Sequence, residues 1–353
     1  MDNIIKIGIA AAIVTGVIVT SIPTLGISFG GNDNTDASES RLLRIGYFPN
    51  INHAQAVIGL GNGDFQEALG DDFEVKTQIF NAGPSAIEAL FANQIDVTYI
   101  GPNPAINGYV QSNGEALRII SGAASGGAVF VVRNDAGIDS VDDFSNKKFS
   151  SPQLGNTQDV ALRKYLLDNG YETKENGGNV EVIPAKNADI VTLMIKKDID
   201  GAWVPEPWGA KLVKEANARI FLDERELWPD GEFVTAHIIA RTDYLEKNPE
   251  AIRKLLEAHI EETNWINEHQ GEAITVFNAE LEKLTGKTIP EDEFEAGLSR
   301  MTLTWDPVRE SLFKSANDAF DIGFFDDRPE LSEIYDLKLL NEILSRRGLV
   351  EIQ

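Results

Sequence analysis

The side chains best suited to recognising another molecule lie in the segment IDGAWVPEPW, residues 199–208. Its two prolines fix their own φ angles and disfavour helix for the residues before them. A stiff, extended segment of this kind would present Trp203, Glu206 and Trp208 side by side. Two aromatic faces and one carboxylate are typical of the wall of a small-molecule site. The alternative is that both tryptophans belong to the core and that Glu206 is solvated.

Three loops share a second kind of chemistry. They are AGPS at 82–85, GPNP at 101–104 and GNTQ at 155–158, each between a predicted strand and a predicted helix. The free N–H groups and the partial positive charge of a helix N-terminus favour an anion. Ligands of open α/β sheets bind at the carboxyl ends of the strands. We therefore expect these loops to converge on one oxyanion, ordinary capping being the alternative for any single loop.

Catalytic and metal chemistry find little support in the sequence. The chain has no cysteine, which excludes disulfides, thiolate metal sites and cysteine nucleophiles. The histidines lack metal-ligand spacing, and we expect no metal and no cofactor; they are His53, His237, His259 and His269. His53 follows the first predicted strand, where it is either a satisfied polar residue or part of a site.

The charge balance restricts the partners. The 353 residues include 31 Lys and Arg against 56 Asp and Glu, a net charge of −25. No basic footprint is available for nucleic acid or for an anionic membrane surface. A small anion remains compatible, because backbone dipoles can hold it locally.

The N-terminal segment predicts a membrane-related role. The run from Ile7 to Leu25 is almost wholly apolar and approaches the roughly 20 residues that span a bilayer. Lys6 precedes it and acidic residues follow it, which places the remainder outside the cytoplasm. Residues 1–29 are interpreted as a retained anchor, with a cleaved signal peptide as the alternative, and residues 30–41 as a flexible tether.

The rest of the chain predicts an α/β fold. Strand and helix patterns alternate from Leu42, including one helix over about 53–69, and a second cycle begins near residue 138. Alternation with short loops implies parallel pairing. Beyond Tyr244 the patterns are almost entirely helical. The glycine-rich GAASGG, residues 122–127, is either a close backbone approach between lobes or a plain loop.

An ordered set of sequence blocks resembles a known family. The blocks are FPN-NHA, FNAGPSAIEAL, IDVTYIGPNPAI, LGNTQDVALR, IDGAWVPEPW and FVTAHIIAR. Over about residues 42–345 they are similar to the solute-binding proteins of ABC importers for nitrate, taurine, aliphatic sulfonates and thiamine precursors. The resemblance implies a type II periplasmic-binding fold, with two α/β lobes, a hinge and a helical C-terminal region.

The resemblance also implies boundaries and ligand residues. The first lobe would comprise 42–132 and 241–353, and the second 133–240, with crossovers near 132–134 and 239–241. The implied ligand-binding residues are Asn52, His53, Gln55, Gly83, Pro84, Ser85, Pro102, Asn103, Asn156, Thr157, Trp203, Glu206, Trp208, Thr235 and His237. These loops contain no Lys or Arg, so the family's strongly basic anion pockets are a poor match.

The implied function is a monomeric extracytoplasmic receptor that closes on a small anion and docks on an ABC permease with its ATPase. An enzyme on the same fold and a sensor without a transporter are the alternatives. The expected ligand is an aliphatic sulfonate or a taurine-like anion held by neutral donors. Trp203 and Trp208 would cover its carbon chain, and Glu206 would either face a cationic end or hold its own loop. Nitrate or bicarbonate ranks second and a pyrimidine precursor of thiamine third.

Overall fold

Two mixed β-sheets organise the part of the chain that the computed structural model describes, residues 41–353. The strands are β1 (Arg41–Tyr47), β2 (Phe73–Ile79), β3 (Val97–Ile100), β4 (Leu117–Gly126), β5 (Ala128–Arg133), β6 (Lys148–Pro152), β7 (Glu181–Ala185), β8 (Gly201–Pro205), β9 (Ala218–Asp223), β10 (Val234–Arg241) and β11 (Met301–Leu303).

Helices cover both sheets. They are α1 (Ala54–Gly61), α2 (Asp64–Leu69), α3 (Gly83–Phe91), α4 (Pro102–Gln111), α5 (Thr157–Asp168), α6 (Asn187–Ile195), α7 (Trp208–Glu215), α8 (Thr242–Lys247), α9 (Pro249–Glu268), α10 (Gln270–Thr285), α11 (Glu291–Leu298), α12 (Arg309–Asp321) and α13 (Lys338–Arg346). The predicted α/β fold with two lobes and a helical C-terminal region is confirmed.

Each sheet forms the centre of one lobe. The first sheet has the order β11-β4-β10-β3-β1-β2, and the second has the order β7-β6-β8-β5-β9. The strands β1, β2 and β3 pair in parallel as predicted, whereas β10 lies antiparallel between β3 and β4. The inner strands β3 and β5 are buried throughout because helices cover both faces of their sheets, which explains their continuous apolar runs.

The crossovers between the lobes differ from the predicted positions. Strand β5 belongs to the second sheet, and β10 belongs to the first. The chain therefore crosses at Gly126–Gly127 and again between 223 and 234, not near 132–134 and 239–241. Both glycines have φ near +77°, a region that favours glycine, so this pair can redirect the chain between sheets. We call 41–126 with 234–353 the first lobe and 127–223 the second lobe.

Glycine also divides the predicted helix over 53–69. The segment forms a short 3₁₀ turn at 51–53, then α1 and α2. Gly63, with φ of +89°, lies directly before α2 and breaks the helical path. The GAASGG segment is neither a plain loop nor a contact between lobes over most of its length, because β4 runs to Gly126.

The C-terminal helices pack on the first lobe. Side chains of α9, α10, α11 and α13 join those of β1, β4 and β10 in one apolar core. The predicted anchor and nearly all of the predicted tether, residues 1–40, lie outside the described residues; Arg41 begins β1. Within residues 41–353, no helix has the length and apolar character to cross a bilayer.

Candidate anion-binding site between the lobes

A small polar cavity lies where the two lobes meet, and we call it the chamber. Its volume is about 20 Å³, little more than the roughly 10–15 Å³ that one water requires. Both lobes contribute to its wall. The lining residues are Phe48, Asn50, Asn52, His53, Asn81, Ala82, Gly101, Asn156, Thr157, Gln158, Asn187, Pro205 and Thr235.

Helix N-termini from both lobes converge on this chamber. Ala82 and Gly101, the N-caps of α3 and α4, line it from the first lobe. Asn156, the N-cap of α5, and Asn187, the first residue of α6, line it from the second. Each of these helices has at least eight residues, and free backbone N–H groups point toward its start. Prolines reduce their number in the first lobe: α3 retains the N–H groups of Gly83 and Ser85, and α4 retains only that of Asn103. Their dipoles add positive potential at one point, which favours an anion there.

Unpaired polar atoms line the same chamber. Asn52 Oδ1, His53 Nδ1, Thr157 Oγ1 and Asn187 Oδ1 are all buried without a hydrogen-bond partner. A buried polar group without a partner typically costs about 1–3 kcal/mol, so several in one place are unusual. An anion can accept from Thr157 Oγ1 and from the two asparagine amides when these are turned to present Nδ2 in place of Oδ1.

The chamber wall carries hydrogen-bonding capacity without fixed positive charge. Among residues 41–353, no Lys or Arg side chain lines it. Its one titratable side chain in that part of the chain is His53, and burial lowers the pKa of His53 to about 3. The polar side chains of the chamber are therefore uncharged at neutral pH, His53 included.

The lobes contact each other around the chamber. Trp208 Nε1 of the second lobe donates to Asn50 Oδ1 of the first at 3.0 Å. Farther out, Lys214 of α7 pairs with Asp292 of α11 at 2.7 Å. A Cβ atom added to Gly101 would lie 2.4 Å from Thr157 Oγ1. The two lobes are therefore in their closed arrangement, with the chamber shut between them.

Five of the expected ligand-binding residues line the chamber. They come from three separate chain segments and both lobes: Asn52, His53, Asn156, Thr157 and Thr235. The structure thus brings together the loop after β1, the start of α5 and strand β10. Thr235 donates to the carbonyl of Gly126 at 2.6 Å, which ties it to the crossover.

Other expected residues lie beside the chamber and shape it. Gly83, Pro84 and Pro102 belong to the first turns of α3 and α4. A Cβ atom on Gly83 would lie 2.2 Å from the Pro104 ring, so glycine permits α3 and α4 to pack closely. Their N-cap neighbours Ala82 and Gly101 form the actual wall.

Four further expected residues make internal contacts. Ser85 Oγ faces Gln153 Oε1 of the second lobe at 3.4 Å, at the outer side of the cleft. Asn103 donates to the Ser315 carbonyl at 3.2 Å, in the direction of α12. Gln55 donates to the Ala123 carbonyl at 2.8 Å, and His237 contacts the Pro307 carbonyl at 3.3 Å. None of these four lines the chamber within the described residues.

The expectation for Trp203 is wrong. Trp203 is fully buried, stacks on Phe130 at 5.3 Å between ring centroids, and donates from Nε1 to Glu224 at 2.6 Å. Its side chain points into the core of the second lobe because alternate residues of β8 face opposite sides of the sheet. Trp203 therefore cannot cover a ligand's carbon chain.

Glu206 follows the second of its two predicted roles. It is fully buried, accepts from the backbone N–H of Ala210 at 2.9 Å, and pairs with Arg300 of the first lobe at 2.7 Å. Burial raises its pKa, while the bond from Ala210 and the charge of Arg300 oppose that shift. Glu206 thus holds the start of α7 and joins the lobes.

Trp208, the first residue of α7, contacts the first lobe through Asn50.

The chamber residues Asn50, Asn81 and Asn187 were not predicted, and Gln158 was predicted only as part of the GNTQ loop. Three of them share a signal that was present in the sequence. Asn50 and Asn81 each lie between a strand and a helical turn, and Asn187 is the first residue of α6. The same reasoning that selected the loops before α3, α4 and α5 would have selected the start of α6.

A shallow groove adjoins the chamber on the outside. It measures about 430 Å³ and shares Asn81 and Ala82 with the chamber. Its remaining lining is largely apolar, with one cation at the rim: Ser85, Pro152, Gln153, Leu154, Pro184, Ala185 and Lys186. Leu154 is 56% exposed, which is high for a large apolar side chain.

The sequence of this chain is similar to those of known proteins. The NMT1-like family model matches residues 36–277. A binding protein of Brucella abortus (strain 2308) is 28% identical over 231 residues, which cover 62% of this chain and 69% of that protein. The nitrate/nitrite-binding protein of Nostoc is 30% identical over 131 residues, 37% of this chain and 29% of the relative.

Solved structures share the fold at low identity. The alkanesulfonate-binding protein of Xanthomonas axonopodis pv. citri has a TM-score of 0.70 at 16% identity, covering 85% of this chain and 99% of that one. The periplasmic nitrate-binding protein of Synechocystis has a TM-score of 0.69 at 17% identity, covering 87% and 89%. A ligand-binding component of an ABC-type import system from Staphylococcus aureus also has a TM-score of 0.70, at 14% identity over 86% and 99%.

Proposed function

Because this chain belongs to the NMT1-like family, we propose that it is the solute-binding component of an ABC importer and binds a small organic anion between its lobes. The convergence of the α3, α4, α5 and α6 N-termini on one chamber carries the proposal. This arrangement binds negative charge without a basic side chain. Similar folds in binding components of import systems support it.

The ligand class we favour is an aliphatic sulfonate. Its compact, tetrahedral oxyanion would accept from backbone N–H groups and from the chamber side chains. Hydrogen bonds to an ionised group contribute roughly 1.5–3 kcal/mol each, so four or five suffice for a tight complex. The carbon chain would leave the chamber toward Pro152, Leu154 and Pro184 of the adjoining groove. The groove thus takes the role that sequence analysis gave to the tryptophans.

A taurine-like amine has less support. The carboxylate expected to face it, Glu206, is already paired with Arg300 and buried away from the chamber. In residues 41–353 no Asp or Glu lines either the chamber or the groove. We therefore place uncharged alkanesulfonate chains ahead of taurine.

Nitrate is the second candidate, and one observation favours it. The closed chamber measures only about 20 Å³, so a bare planar anion requires less opening than a substituted sulfonate. Bicarbonate shares this advantage. Nitrate and bicarbonate have no carbon chain that could contact the apolar groove, and we therefore rank them below the sulfonates.

The remaining parts of the proposal concern partners and location. We propose that the protein acts as a monomer outside the cytoplasm, anchored by residues 1–29, and delivers its ligand to an ABC permease with its ATPase. A binding role without catalysis accords with a chamber lined by amides, a hydroxyl pair and one histidine. A stand-alone sensor would use the same chamber, and genetic linkage to permease genes distinguishes the two roles.

Calorimetric titration with methanesulfonate, hexanesulfonate, taurine, nitrate, bicarbonate and a hydroxymethylpyrimidine tests the proposed function. We expect tight binding of the alkanesulfonates, with hexanesulfonate tighter than methanesulfonate because its chain contacts the groove. Tight binding of nitrate without response to any sulfonate would transfer the assignment to the second candidate. Binding of the pyrimidine alone would contradict an anion receptor of either kind.

A further inference from the structure

His53 differs from the other buried histidines of the first lobe. His259 contacts Tyr99 Oη through Nδ1 and the Gly122 carbonyl through Nε2, both at 3.0 Å, so its two nitrogens are satisfied in the neutral form. His237 contacts the Pro307 carbonyl through Nε2, and its Nδ1 is also buried without a partner, but His237 does not line the chamber. His53 lines the chamber, and its Nδ1 is buried without a partner.

The surroundings of His53 leave it neutral in the absence of a ligand. Its ring lies against Phe48, with ring centroids 4.5 Å apart, and 6.1 Å from the Tyr99 ring. Burial alone lowers the pKa of His53 to about 3, and no neighbouring charge contributes. A buried cation without a counter-charge is strongly disfavoured.

The titratable groups on the elements around the chamber are either uncharged or do not form an ion pair with His53. The uncharged ones are Tyr99 of β3, His237 of β10 and His259 of α9. The acidic side chains are Glu262 of α9 and Glu293 of α11. Two further acids are paired with arginines, Glu206 with Arg300 and Asp159 with Arg163. Lys214 lies 3.6 Å from Glu293, and burial raises the pKa of Glu262 to about 8. None offers His53 a direct ion pair, so only a ligand can.

We propose that His53 supplies the positive charge of the complex, so that the receptor takes up its anion together with one proton. This inference rests on the proposed function and adds how the site balances charge. The proton comes from solvent and forms the second N–H bond of the His53 ring, which turns the imidazole into an imidazolium; no bond between heavy atoms forms or breaks. In the complex the imidazolium faces the anion, and after release the buried ring returns to the neutral form.

The direction of the pH dependence follows from linkage. Binding raises the proton affinity of His53, so lower pH favours the complex. Affinity should increase by up to tenfold for each pH unit descended between the pKa of His53 in the complex and its value of about 3 in the free protein. Below and above that interval, the protonation of His53 should no longer make the affinity depend on pH.

Titration calorimetry in two buffers of different ionisation enthalpy measures the protons taken up on binding. At about pH 5.5, near or below the ordinary histidine pKa, methanesulfonate and nitrate serve as probes because neither anion is itself protonated there. We expect an uptake approaching one proton for the protein and a reduction of that uptake in His53→Gln. The matched control is His269→Gln, which removes an exposed histidine of the chain and should leave uptake unchanged.

Nuclear magnetic resonance of the imidazole nitrogens provides a direct readout that altered folding would not imitate. The His53 signal, assigned by its loss in His53→Gln, should move from neutral to protonated values when the anion is added. Binding of either anion with His53 still neutral, and with equal uptake in protein and variant, would overturn this inference alone. Absence of binding by every anion would overturn the proposed function and this inference with it.

Discussion

At the scale of single residues, Glu224 is a buried acid that directly follows β9, where the chain leaves the second lobe. It is completely buried and accepts a hydrogen bond from Trp203 Nε1 at 2.6 Å. Burial raises the pKa of Glu224 to about 7, although bonds from Trp203 and Trp228 oppose that shift. The folded state therefore binds a proton at Glu224 more tightly than the unfolded state does.

This pKa makes stability depend on pH in a defined direction. The contribution of Glu224 is fully present below its unfolded pKa of about 4.3 and is lost as pH rises through about 7. We predict that Glu224→Gln stabilises the protein relative to the parent at pH 8 by about 2–3 kcal/mol more than it does at pH 4.5. Urea unfolding of both proteins at the two pH values measures this difference; parallel changes in stability would contradict it.

Residue roles were the least predictable feature of the site. The sequence indicated a stiff aromatic segment at 199–208 but could not tell which way each side chain of β8 faces. Trp203 turned inward to stack on Phe130, and Glu206 met Arg300, a residue 94 positions away. Small polar residues before helices were easier to predict, because the N-terminus of a helix imposes the same local requirement everywhere.

At the scale of elements, the close approach of α4 and α5 determines how far the lobes close. Gly101, the N-cap of α4, leaves no room for a Cβ atom beside Thr157 Oγ1, which would be only 2.4 Å away. Its φ of −72° is accessible to any residue, so alanine adds bulk without backbone strain. The added methyl group therefore destabilises the closed arrangement of the lobes and leaves the open one unaffected.

We predict that Gly101→Ala weakens ligand binding at least tenfold with little change in thermal stability without ligand. Gly271→Ala is the matched control, because Gly271 lies in α10 with no atom within 4 Å of an added Cβ. That control should bind normally and gain up to about 1 kcal/mol from better helix propensity. Equal affinities for Gly101→Ala and Gly271→Ala would show that α4 and α5 do not meet in the complex.

At the scale of the whole molecule, the chain crosses between sheets at Gly126–Gly127 and between 223 and 234. Two neighbouring crossovers form a hinge, and hinge closure around a ligand is a common motion of two-lobed proteins. The repeated strand–helix cycles of the sequence correctly predicted two lobes. Both crossovers lie about one strand away from their predicted positions, because β5 and β10 are apolar runs that fit either sheet equally well.

We predict that the ligand-free protein opens in solution and that ligand compacts it. Opening would break the Trp208–Asn50 and Lys214–Asp292 contacts and expose the chamber. Small-angle X-ray scattering at saturating methanesulfonate should give a smaller radius of gyration than scattering without it. An unchanged radius, with binding verified by calorimetry on the same sample, would argue against hinge closure.

The central claim is that the chamber holds negative charge, and one substitution tests it directly. Asn187→Asp places a carboxylate at the start of α6, nearly isosteric with the amide whose Oδ1 has no partner. Asn107→Asp on α4 is the matched control, since its side chain bonds only to Gln111 within the described residues. In calorimetric titrations with the tightest anion, we predict at least a hundredfold loss of affinity for Asn187→Asp and a normal affinity for Asn107→Asp. Unchanged anion affinity in Asn187→Asp would contradict an anion site in this chamber.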